Sequence, residues 1–296
     1  MDTEGRLERY REAYRWPAEE SLAAMLDNQQ GAFVAVRNAL PALARAAEAA
    51  AARLGEHGRL VYVGAGASGR LAVQDGVELY PTFGWPTERL IYLLAGGLDA
   101  VVRSLEGSED DAEAGRVAVA DLTPGPADVV IAVAASGTTA FTRAAQTAAR
   151  AAGALTVALA NNPTAPLLAE AEIPVLLHTG AEFLAGSTRM TAGTAQKIAL
   201  NLFSTQLMIE LGRVYQGLMV DVVASNAKLV ARSHRIVQAI AGCDLEAAAT
   251  AWERAGRDIK LAVLLLDGFD HDRASALLAE AQGDLRRIHF RHPTPR

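Results

Sequence analysis

The strongest chemical signal in this sequence is a glycine turn between a predicted strand and a predicted helix. The apolar run Arg59–Val63 ends at Gly64, and Gly66 and Gly69 follow with Ser68 between them. The first N–H groups of a helix have no partner within the helix and carry a partial positive charge. A serine hydroxyl adds a neutral donor, so this turn predicts an anion site.

A second turn repeats this arrangement. Ser136, Thr138 and Thr139 follow the apolar run Asp128–Ala134 and precede another predicted helix. One hydroxyl is enough for an ordinary helix N-cap, so three within four residues favour contact with a phosphate or an oxyanion. The tripeptide Ala-Ser-Gly occurs in both turns, and two such turns in one sheet can converge on a single ligand.

The spacing Gly-x-Gly-x-x-Gly also matches the dinucleotide fingerprint as a string. That fingerprint needs an Asp or Glu near the end of the next strand to hold a ribose. Here the next strand, Arg89–Leu94, is followed by Ala95-Gly96-Gly97. No Gly-Lys-Ser/Thr follows the turn either, which excludes a P-loop. The phosphate of a smaller ligand is therefore favoured over a nicotinamide or flavin.

The carboxylates near these turns have no decisive local signature. Glu78 comes after the first predicted helix, and Asp75 is interpreted as its solvated neighbour one turn back. The acidic run 106–113 has the pattern of a solvated face, with Ser108 expected to cap a helix that begins at Glu109. The six histidines are scattered without metal-ligand spacing, so no metal site is predicted. Without a Gly-x-Ser-x-Gly elbow, the serines are expected to bind and not to attack.

The composition narrows the class of protein. Half of the residues (51%) are apolar and 21% are charged, which is typical of a globular chain. The net charge of −6 argues against nucleic acid or an anionic membrane as the main partner. A charged N-terminus, apolar runs too short for a bilayer and a single cysteine predict a cytoplasmic location.

Strands and helices are predicted to alternate along the chain. Continuous hydrophobic strands in such an alternation predict an α/β fold with a parallel sheet covered on both faces. Ligands bind such sheets at the carboxyl ends of the strands, where both hydroxyl turns would lie. The predicted strands are Arg59–Val63, Arg89–Leu94, Asp128–Ala134, Leu155–Leu159 and Ile173–Leu177.

Three parts are expected along the chain. Residues 1–54 form N-terminal helices, and residues 55–241 form the domain that contains the parallel sheet and both hydroxyl turns. Residues 242–296 form a small helical domain with a basic tail, in which Asp244 and Asp270 are predicted N-caps. The longer predicted helices are Pro17–Gln30, Ala32–Leu54 with Pro41 as a kink or break, Gly69–Leu79, Thr191–Gly212 and Met219–Ala241.

Several longer motifs, in consistent order over about residues 55 to 245, resemble the N-acetylmuramic acid 6-phosphate etherases and their relatives, including the glucokinase regulatory protein. All of these share the sugar isomerase (SIS) fold. The motifs are Gly64–Leu71, Glu78 with Pro81–Gly84, Glu106–Asp110, Ala134–Gly137, Gly186–Met190 with Ala192–Lys197, and Leu218–Asp221 with Asn226 and Lys228.

The resemblance implies a flavodoxin-like three-layer sandwich that dimerises, with each site completed by the partner chain. It makes residues 55–241 the SIS phosphosugar-binding domain, and the N-terminal helices of residues 1–54 would pack on this core or on the dimer partner. It also implies cleavage of the D-lactyl ether of N-acetylmuramic acid 6-phosphate to N-acetylglucosamine 6-phosphate and D-lactate, without a cofactor, in cell-wall recycling. The implied catalytic residues are Glu78 and Glu109. The implied contacts to the phosphosugar are Ala67, Ser68, Gly69, Ser136, Gly137, Thr138, Thr139, Ser187, Arg189, Asn226 and Lys228.

This reaction needs one protonated and one ionised carboxyl group at the same pH. We expect burial behind Pro81 and Phe83 to raise the pKa of Glu78, which suits the acid, and Glu109 to be the base. Two alternatives use the same fold: a phosphosugar-sensing regulator without chemistry, and an aldose–ketose isomerase, which needs no acid for an ether. The presence of both glutamates favours the lyase.

Overall fold

A five-stranded parallel sheet forms the centre of the N-terminal part of the protein. In the computed structural model, which describes residues 2–103 and 105–290, the strand order is β2-β1-β3-β4-β5. This is the flavodoxin-like order, and it confirms the predicted α/β class. The strands are β1 Leu60–Gly64, β2 Leu90–Leu94, β3 Val129–Val133, β4 Leu155–Ala160 and β5 Ile173–Leu176.

Helices cover both faces of the sheet, and none in the described ranges is both long and apolar enough to cross a membrane. The α-helices are α1 Ala18–Leu54, α2 Gly66–Val77, α3 Leu79–Phe83, α4 Ala112–Leu122, α5 Ala140–Ala151, α6 Pro166–Glu170, α7 Thr191–Glu210, α8 Ala227–Ala241, α9 Leu245–Arg254, α10 Ile259–Leu266 and α11 His271–Glu280.

Burial on both faces explains why the strands have no polar alternation. Every residue of β1, β3 and β4 is buried. Val61 and Val63 of β1 pack with Phe141 and Ala145 of α5 in one apolar cluster. On the same strand, the Tyr62 hydroxyl donates to Asp75 of α2. Adjacent residues of β1 thus serve opposite layers, as a two-sided parallel sheet requires.

The prediction of two N-terminal helices is wrong, because α1 is one continuous helix that contains Pro41. Buried alanines from Ala32 to Ala50 line the side of α1 that contacts β3, β4 and β5. This long packed face outweighs the hydrogen bond that proline removes, since tertiary burial supplies most helix stability in proteins.

Three helix starts differ from the predictions. Helix α2 begins at Gly66 and not at Gly69, which places Ser68 in its first turn. Asp111, and not Ser108, caps α4 by accepting a hydrogen bond from the Ala114 N–H at 2.9 Å. Helix α8 begins at Ala227 and not at Met219. Of the residues predicted as the start of this helix, Met219 ends the short strand β7 Leu218–Met219, which pairs antiparallel with β6 Val214–Tyr215, and residues 220–226 form turns and loop.

The chain divides into two compact units, one of them discontinuous. The N-terminal unit runs to Gly76 and resumes over Glu88–Ser204, and the C-terminal unit combines Val77–Thr87 with the chain from Thr205 onward. The three-part division at residues 54 and 241 stays a prediction.

In the C-terminal unit, β6, β7 and α8–α11 surround a core that contains the fully buried Trp252. The predicted N-caps Asp244 and Asp270 are confirmed, because each accepts a hydrogen bond from its helix. Part of the predicted basic tail, residues 291–296, lies outside the described residues, while Arg286 is ion-paired with Asp284.

An ion pair joins Arg59 and Asp128, the residues that directly precede β1 and β3. Both carboxylate oxygens of the buried Asp128 accept hydrogen bonds: Oδ1 from the Arg59 N–H at 2.8 Å, and Oδ2 from Arg59 Nη2 at 2.8 Å and the Gly125 N–H at 2.9 Å. Burial opposes ionisation of this carboxyl, but the hydrogen bonds from Arg59 and Gly125 outweigh it and lower the pKa of Asp128. The charged form of Asp128 therefore stabilises the fold.

We expect Asp128→Asn to lower the free energy of unfolding at pH 7 by about 1–3 kcal/mol, the usual range for hydrogen bonds to a charged group. Because the pKa of Asp128 is lowered on folding, its contribution is complete above the unfolded pKa of about 3.9 and is lost as the pH falls through the folded value. The difference from the native protein in urea unfolding should therefore shrink below about pH 4. The exposed Asp121→Asn is the control, and a pH-independent difference would contradict the ionic role.

Candidate active site

A close approach between two backbones shapes the glycine turn after β1. A Cβ atom on Gly64 would lie 2.9 Å from the Gly69 Cα, and one on Gly69 would lie 3.1 Å from the Gly64 carbonyl carbon. Both positions therefore need glycine for α2 to begin so soon after β1. Ser68 is buried in the first turn of α2, with Ala67 half-buried beside it. The first hydrogen bond of α2 joins the Gly69 N–H to the Ala65 carbonyl at 3.0 Å, so the earlier N–H groups of the turn precede the helical hydrogen bonds. An anion site at these groups stays a prediction.

The second hydroxyl turn, after β3, is held in shape by its own side chains. The Ser136 hydroxyl oxygen accepts hydrogen bonds from the Thr138 N–H at 3.2 Å and from the Thr138 hydroxyl at 3.1 Å. Thr139 is the N-cap residue of α5, yet its side chain makes no capping hydrogen bond. The Thr139 hydroxyl therefore does not cap the start of α5, which distinguishes Thr139 from an ordinary N-cap residue.

Gly137, between these hydroxyl residues, is fixed by conformation and by space. Its φ is +68°, and a Cβ atom there would lie 2.3 Å from the Ala165 Cβ. The turn therefore lies directly against the residue that precedes α6. This contact sets how closely the hydroxyls of the turn approach the end of the sheet.

The strand order brings the two turns to the same edge of the sheet. Strands β1 and β3 are parallel neighbours, and their last residues, Gly64 and Val133, are register partners. The chain leaves β1 for β2 on one side and later returns to β3 on the other side. A crevice forms at such a reversal, outside the carboxyl ends of the strands, and it is where open α/β sheets bind ligands. The structure thus places Ser68 and Ser136 on adjacent strand ends.

Glu109 lies beside the first of these turns. A cavity of about 210 Å³ is lined by Gly66 and Arg70 from α2 and its turn, and by Ser108 and Glu109 from a 3₁₀ turn at Ser108–Asp110. Glu109 itself is exposed. This cavity joins the predicted anion site to the predicted catalytic carboxylate within the N-terminal unit.

Glu78 is exposed, so the expectation that Pro81 and Phe83 bury it is wrong. In the short helix α3, the residues that face inward are Leu79 and Phe83, four positions apart. Glu78 precedes α3 and lies among exposed neighbours, Val77 and Tyr80. Glu78 belongs to the C-terminal unit, and its catalytic role stays a prediction.

The segment that carries Glu78 is nevertheless firmly held. Arg213 Nη1 donates hydrogen bonds to the carbonyl oxygens of Phe83 at 2.7 Å and Gly84 at 3.1 Å. Asp221 lies 3.7 Å from the same nitrogen and 2.8 Å from Lys260 Nζ. Burial raises the pKa of Asp221, and the two cations oppose this shift. A partly buried charge cluster of the C-terminal unit thus fixes the backbone just after Glu78.

The loop before α7 contains the predicted contacts Ser187 and Arg189. Ser187 is half-buried and Arg189 is exposed. The positive end of α7 is already occupied, because the buried Glu182 carboxylate accepts hydrogen bonds from the N–H groups of Thr191 at 2.9 Å and Ala192 at 2.8 Å. The contacts predicted for Ser187 and Arg189 therefore gain no support from this helix end and stay predictions.

Asn226 and Lys228 lie at the start of α8, in the C-terminal unit. The Asn226 side chain caps this helix by accepting a hydrogen bond from the Leu229 N–H at 3.0 Å. Lys228 is exposed. The cap alone explains an asparagine at position 226, and substrate contact by either residue stays a prediction.

Asp75 is not the solvated carboxylate expected from the sequence, because only 5% of the residue is exposed. Its oxygens accept hydrogen bonds from the Tyr62 hydroxyl at 2.7 Å, the Asn201 amide at 2.6 Å and the Ser204 hydroxyl at 3.0 Å. Burial raises the pKa of Asp75, although these hydrogen bonds partly offset it. The network ties α2 to β1 and α7. The one local signal in the sequence that Asp75 is buried is its spacing from Ala72, which lies three positions earlier on the same buried face of α2.

No metal cluster is found in residues 2–103 and 105–290: no three His, Cys, Asp or Glu side chains lie close enough together to hold an ion.

A sequence profile for the glucokinase regulatory protein N-terminal SIS domain matches residues 42–150. That span covers β1, β3 and both hydroxyl turns.

Among curated proteins, the N-acetylmuramic acid 6-phosphate etherase of Deinococcus radiodurans is 52% identical over 90% of this chain and 88% of its own length. The chain belongs to the N-acetylmuramic acid 6-phosphate etherase family. Other members include the etherases of Symbiobacterium thermophilum, 46% identical over 89% of this chain and 88% of theirs, and Mesorhizobium japonicum, 42% identical over 96% and 93%.

Comparison with solved structures gives the same fold. A Bacteroides fragilis protein named as a phosphosugar isomerase involved in capsule formation superposes with a TM-score of 0.50 and 19% identity. The match covers 68% of this chain and 95% of that protein. The superposition supports the SIS-type architecture of the family, and a sequence identity this low says nothing about the reaction.

We expect Gly137→Ala to lower the free energy of unfolding by about 2–5 kcal/mol. The left-handed backbone costs a non-glycine residue about 1–2 kcal/mol, and overpacking against Ala165 adds about 1–3 kcal/mol. Gly180→Ala is the matched control, because its φ is +70° with open space around the new Cβ. Urea denaturation of both variants measures the difference, and equal losses would exclude the contact with Ala165 as a constraint.

Proposed function

We propose that this chain is an enzyme that cleaves the D-lactyl ether of N-acetylmuramic acid 6-phosphate. The products are N-acetylglucosamine 6-phosphate and D-lactate. The observation that carries the proposal is the 52% identity to a named etherase over most of both chains. In the cell, such an enzyme recovers amino sugars from peptidoglycan. A cytoplasmic site of action agrees with a chain that has one cysteine.

The two hydroxyl turns bind the phosphosugar. The start of α2 supplies main-chain N–H groups and the Ser68 hydroxyl, and the adjacent turn supplies Ser136 and Thr139. Helix N-termini and neutral hydroxyls suit a phosphate, because they offer several donors without a fixed counter-charge. The uncommitted hydroxyl of Thr139 supports this assignment. Ala67, Gly69, Gly137 and Thr138 complete the backbone of the two turns.

Two carboxyl groups carry out the elimination. In the ring-opened sugar, the proton on carbon 2 is acidified by the neighbouring aldehyde, and Glu109 removes it as a carboxylate. The bond between carbon 3 and the lactyl oxygen breaks, a carbon 2–carbon 3 double bond forms, and Glu78 protonates the departing oxygen. Water then adds across the double bond, with its hydroxyl on carbon 3 and a proton on carbon 2. General acid–base catalysis of this kind contributes about 10²–10⁴ to a rate.

A homodimer with shared active sites is the proposed assembly. Support comes from α1, which exposes Leu26, Phe33 and Leu40 at intervals of seven residues, with Leu22 one turn before them. Residues seven apart lie on one face of a helix, and an exposed apolar stripe of this length is typical of an interface. A second copy of the chain is the occupant that we propose for this face.

We expect Glu109→Gln and Glu78→Gln each to reduce D-lactate release by at least about 100-fold, since each loses a general acid or base. Binding of N-acetylglucosamine 6-phosphate should stay within a few-fold, because the hydroxyl turns are unchanged. The measurements are an enzymatic D-lactate assay and calorimetric titration. Asp110→Asn, an exposed neighbour in the same turn, is the control.

Assays of the native protein with sugar phosphates distinguish the lyase from the two alternatives. Sugar phosphate binding without lactate release would indicate a regulator, and conversion between aldose and ketose phosphates would indicate an isomerase. Lactate release by the native protein with near-normal turnover in Glu78→Gln would keep the activity and overturn the identity of the acid.

We expect Phe33→Glu to convert the dimer to a monomer. Each copy would lose the burial of an aromatic ring, about 1.5–3 kcal/mol, so a symmetric interface would weaken by at least ~100-fold. Size-exclusion chromatography with light scattering measures the mass, and Val117→Glu on α4 is the control for an exposed apolar residue elsewhere. A Phe33→Glu protein that stays dimeric would exclude this face.

A further inference from the structure

Arg70 joins α2 to a segment that contains Glu109. Its Nε donates hydrogen bonds to the carbonyl oxygens of Ala100 at 3.0 Å and Val101 at 3.1 Å. Its Nη2 donates to the carbonyl oxygen of Arg103 at 3.1 Å. Arg70 directly follows Gly69, the last glycine of the turn. The glycine turn is therefore adjacent to a side chain that binds three carbonyls of another part of the chain.

The segment that Arg70 binds, residues 98–103 and 105–109, has little apolar packing of its own. Leu98 is 68% exposed, Val102 is 81% exposed and Leu105 is 42% exposed. Hydrogen bonds to main-chain carbonyls matter more for such a segment, because few buried side chains define its position.

The far end of the segment returns to the same cavity. The Ser108 hydroxyl donates to the Leu105 carbonyl at 2.9 Å, and Glu109 lines the cavity together with Gly66 and Arg70. Asp111 then caps α4. The segment is therefore attached to α2 at one end and to α4 at the other, with Glu109 between the two attachments.

We propose that Arg70 is a positioning residue for the elimination: its guanidinium holds the 98–109 segment on α2, so that Glu109 faces the anion-binding turn. The proposal rests on the proposed function, in which Glu109 removes the proton on carbon 2. Arg70 acts through the backbone and takes no part in proton transfer.

The geometry requires arginine at this position. Nε and Nη2 lie on the same edge of a rigid plane, which lets one side chain reach carbonyls of three residues at once. A lysine has the same charge but a single nitrogen on a flexible stem. The conservative change Arg70→Lys therefore keeps the charge beside the cavity and removes the fork, which separates position from electrostatics.

Arg89 provides a matched control at the opposite end of the sheet. Its Nε donates to the Gly58 carbonyl at 2.7 Å, and its Nη2 donates to the carbonyls of Leu54 at 3.0 Å and Gly55 at 2.9 Å. Arg89→Lys thus also removes hydrogen bonds from one guanidinium to main-chain carbonyls, in the same unit and at the opposite end of the sheet from the 98–109 segment.

The test compares these two lysine variants of the full chain. We expect Arg70→Lys to lower kcat for D-lactate release by about 10–100-fold with KM within about threefold, since misplacement by about 1 Å can cost 10²-fold while phosphate binding is kept. Amide hydrogen exchange in residues 98–109 should accelerate at least tenfold. Arg89→Lys should change neither quantity by more than about twofold.

Three results would overturn the proposal: unchanged kcat and exchange in Arg70→Lys, equal losses in both variants, or a rise in KM at constant kcat. The last result would make Arg70 a direct contact of the phosphate. If the native protein releases no lactate, the proposed function fails by itself. Unchanged amide hydrogen exchange in Arg70→Lys would then refute the proposal that Arg70 holds the segment on α2. Faster amide exchange confined to residues 98–109 would support the holding of the segment, independently of the reaction.

Discussion

The contact between the backbones of Gly64 and Gly69 is the constraint on which the site depends. A strand and the following helix can approach this closely only when neither residue has a side chain at the contact. The approach brings the first turn of α2, with Ser68, to the end of β1. Because β3 is the parallel neighbour of β1, the Ser136 turn then lies at the adjacent strand end. A single steric condition thus aligns two sets of hydrogen-bond donors at one edge.

Around this centre, arginines connect parts of the chain that are far apart in sequence. Arg59 and Arg89 bind carbonyls or a carboxylate at the amino-terminal end of the sheet, and Arg70 does so at the carboxyl end. Arg213 makes the equivalent contact in the C-terminal unit, next to the segment that carries Glu78. Carbonyls at the ends of strands and helices need donors, and a planar guanidinium supplies several from one position. Both proposed catalytic glutamates therefore lie in segments whose backbones accept hydrogen bonds from arginine.

The sequence predicts the parts of this structure whose signals are local. Five continuous apolar runs identify the strands, and glycine with serine identifies both turns, because close approach and positive φ restrict residue type. The burial of Asp75 has no comparable signal, since Asn201 and Ser204 lie more than 120 residues away. The apolar residues from Leu218 to Val223 fit the start of a helix, and only the pairing of β7 with β6 shows that the helix begins later. The exposure of Glu78 depends on which side of α3 packs inward, which a five-residue helix does not reveal.

The discontinuity of the C-terminal unit limits how this protein can be divided. The eleven residues Val77–Thr87, which begin with the last residue of α2 and end before β2, belong to a unit whose remaining chain begins more than a hundred residues later. Loss of the last helices would remove Lys260, the partner of Asp221, and so loosen the backbone that Arg213 holds at Phe83 and Gly84. The helical end of the chain is therefore not a detachable module. A premature stop or a recombination breakpoint beyond α7 would be expected to impair the region around Glu78, even with every residue of the parallel sheet intact.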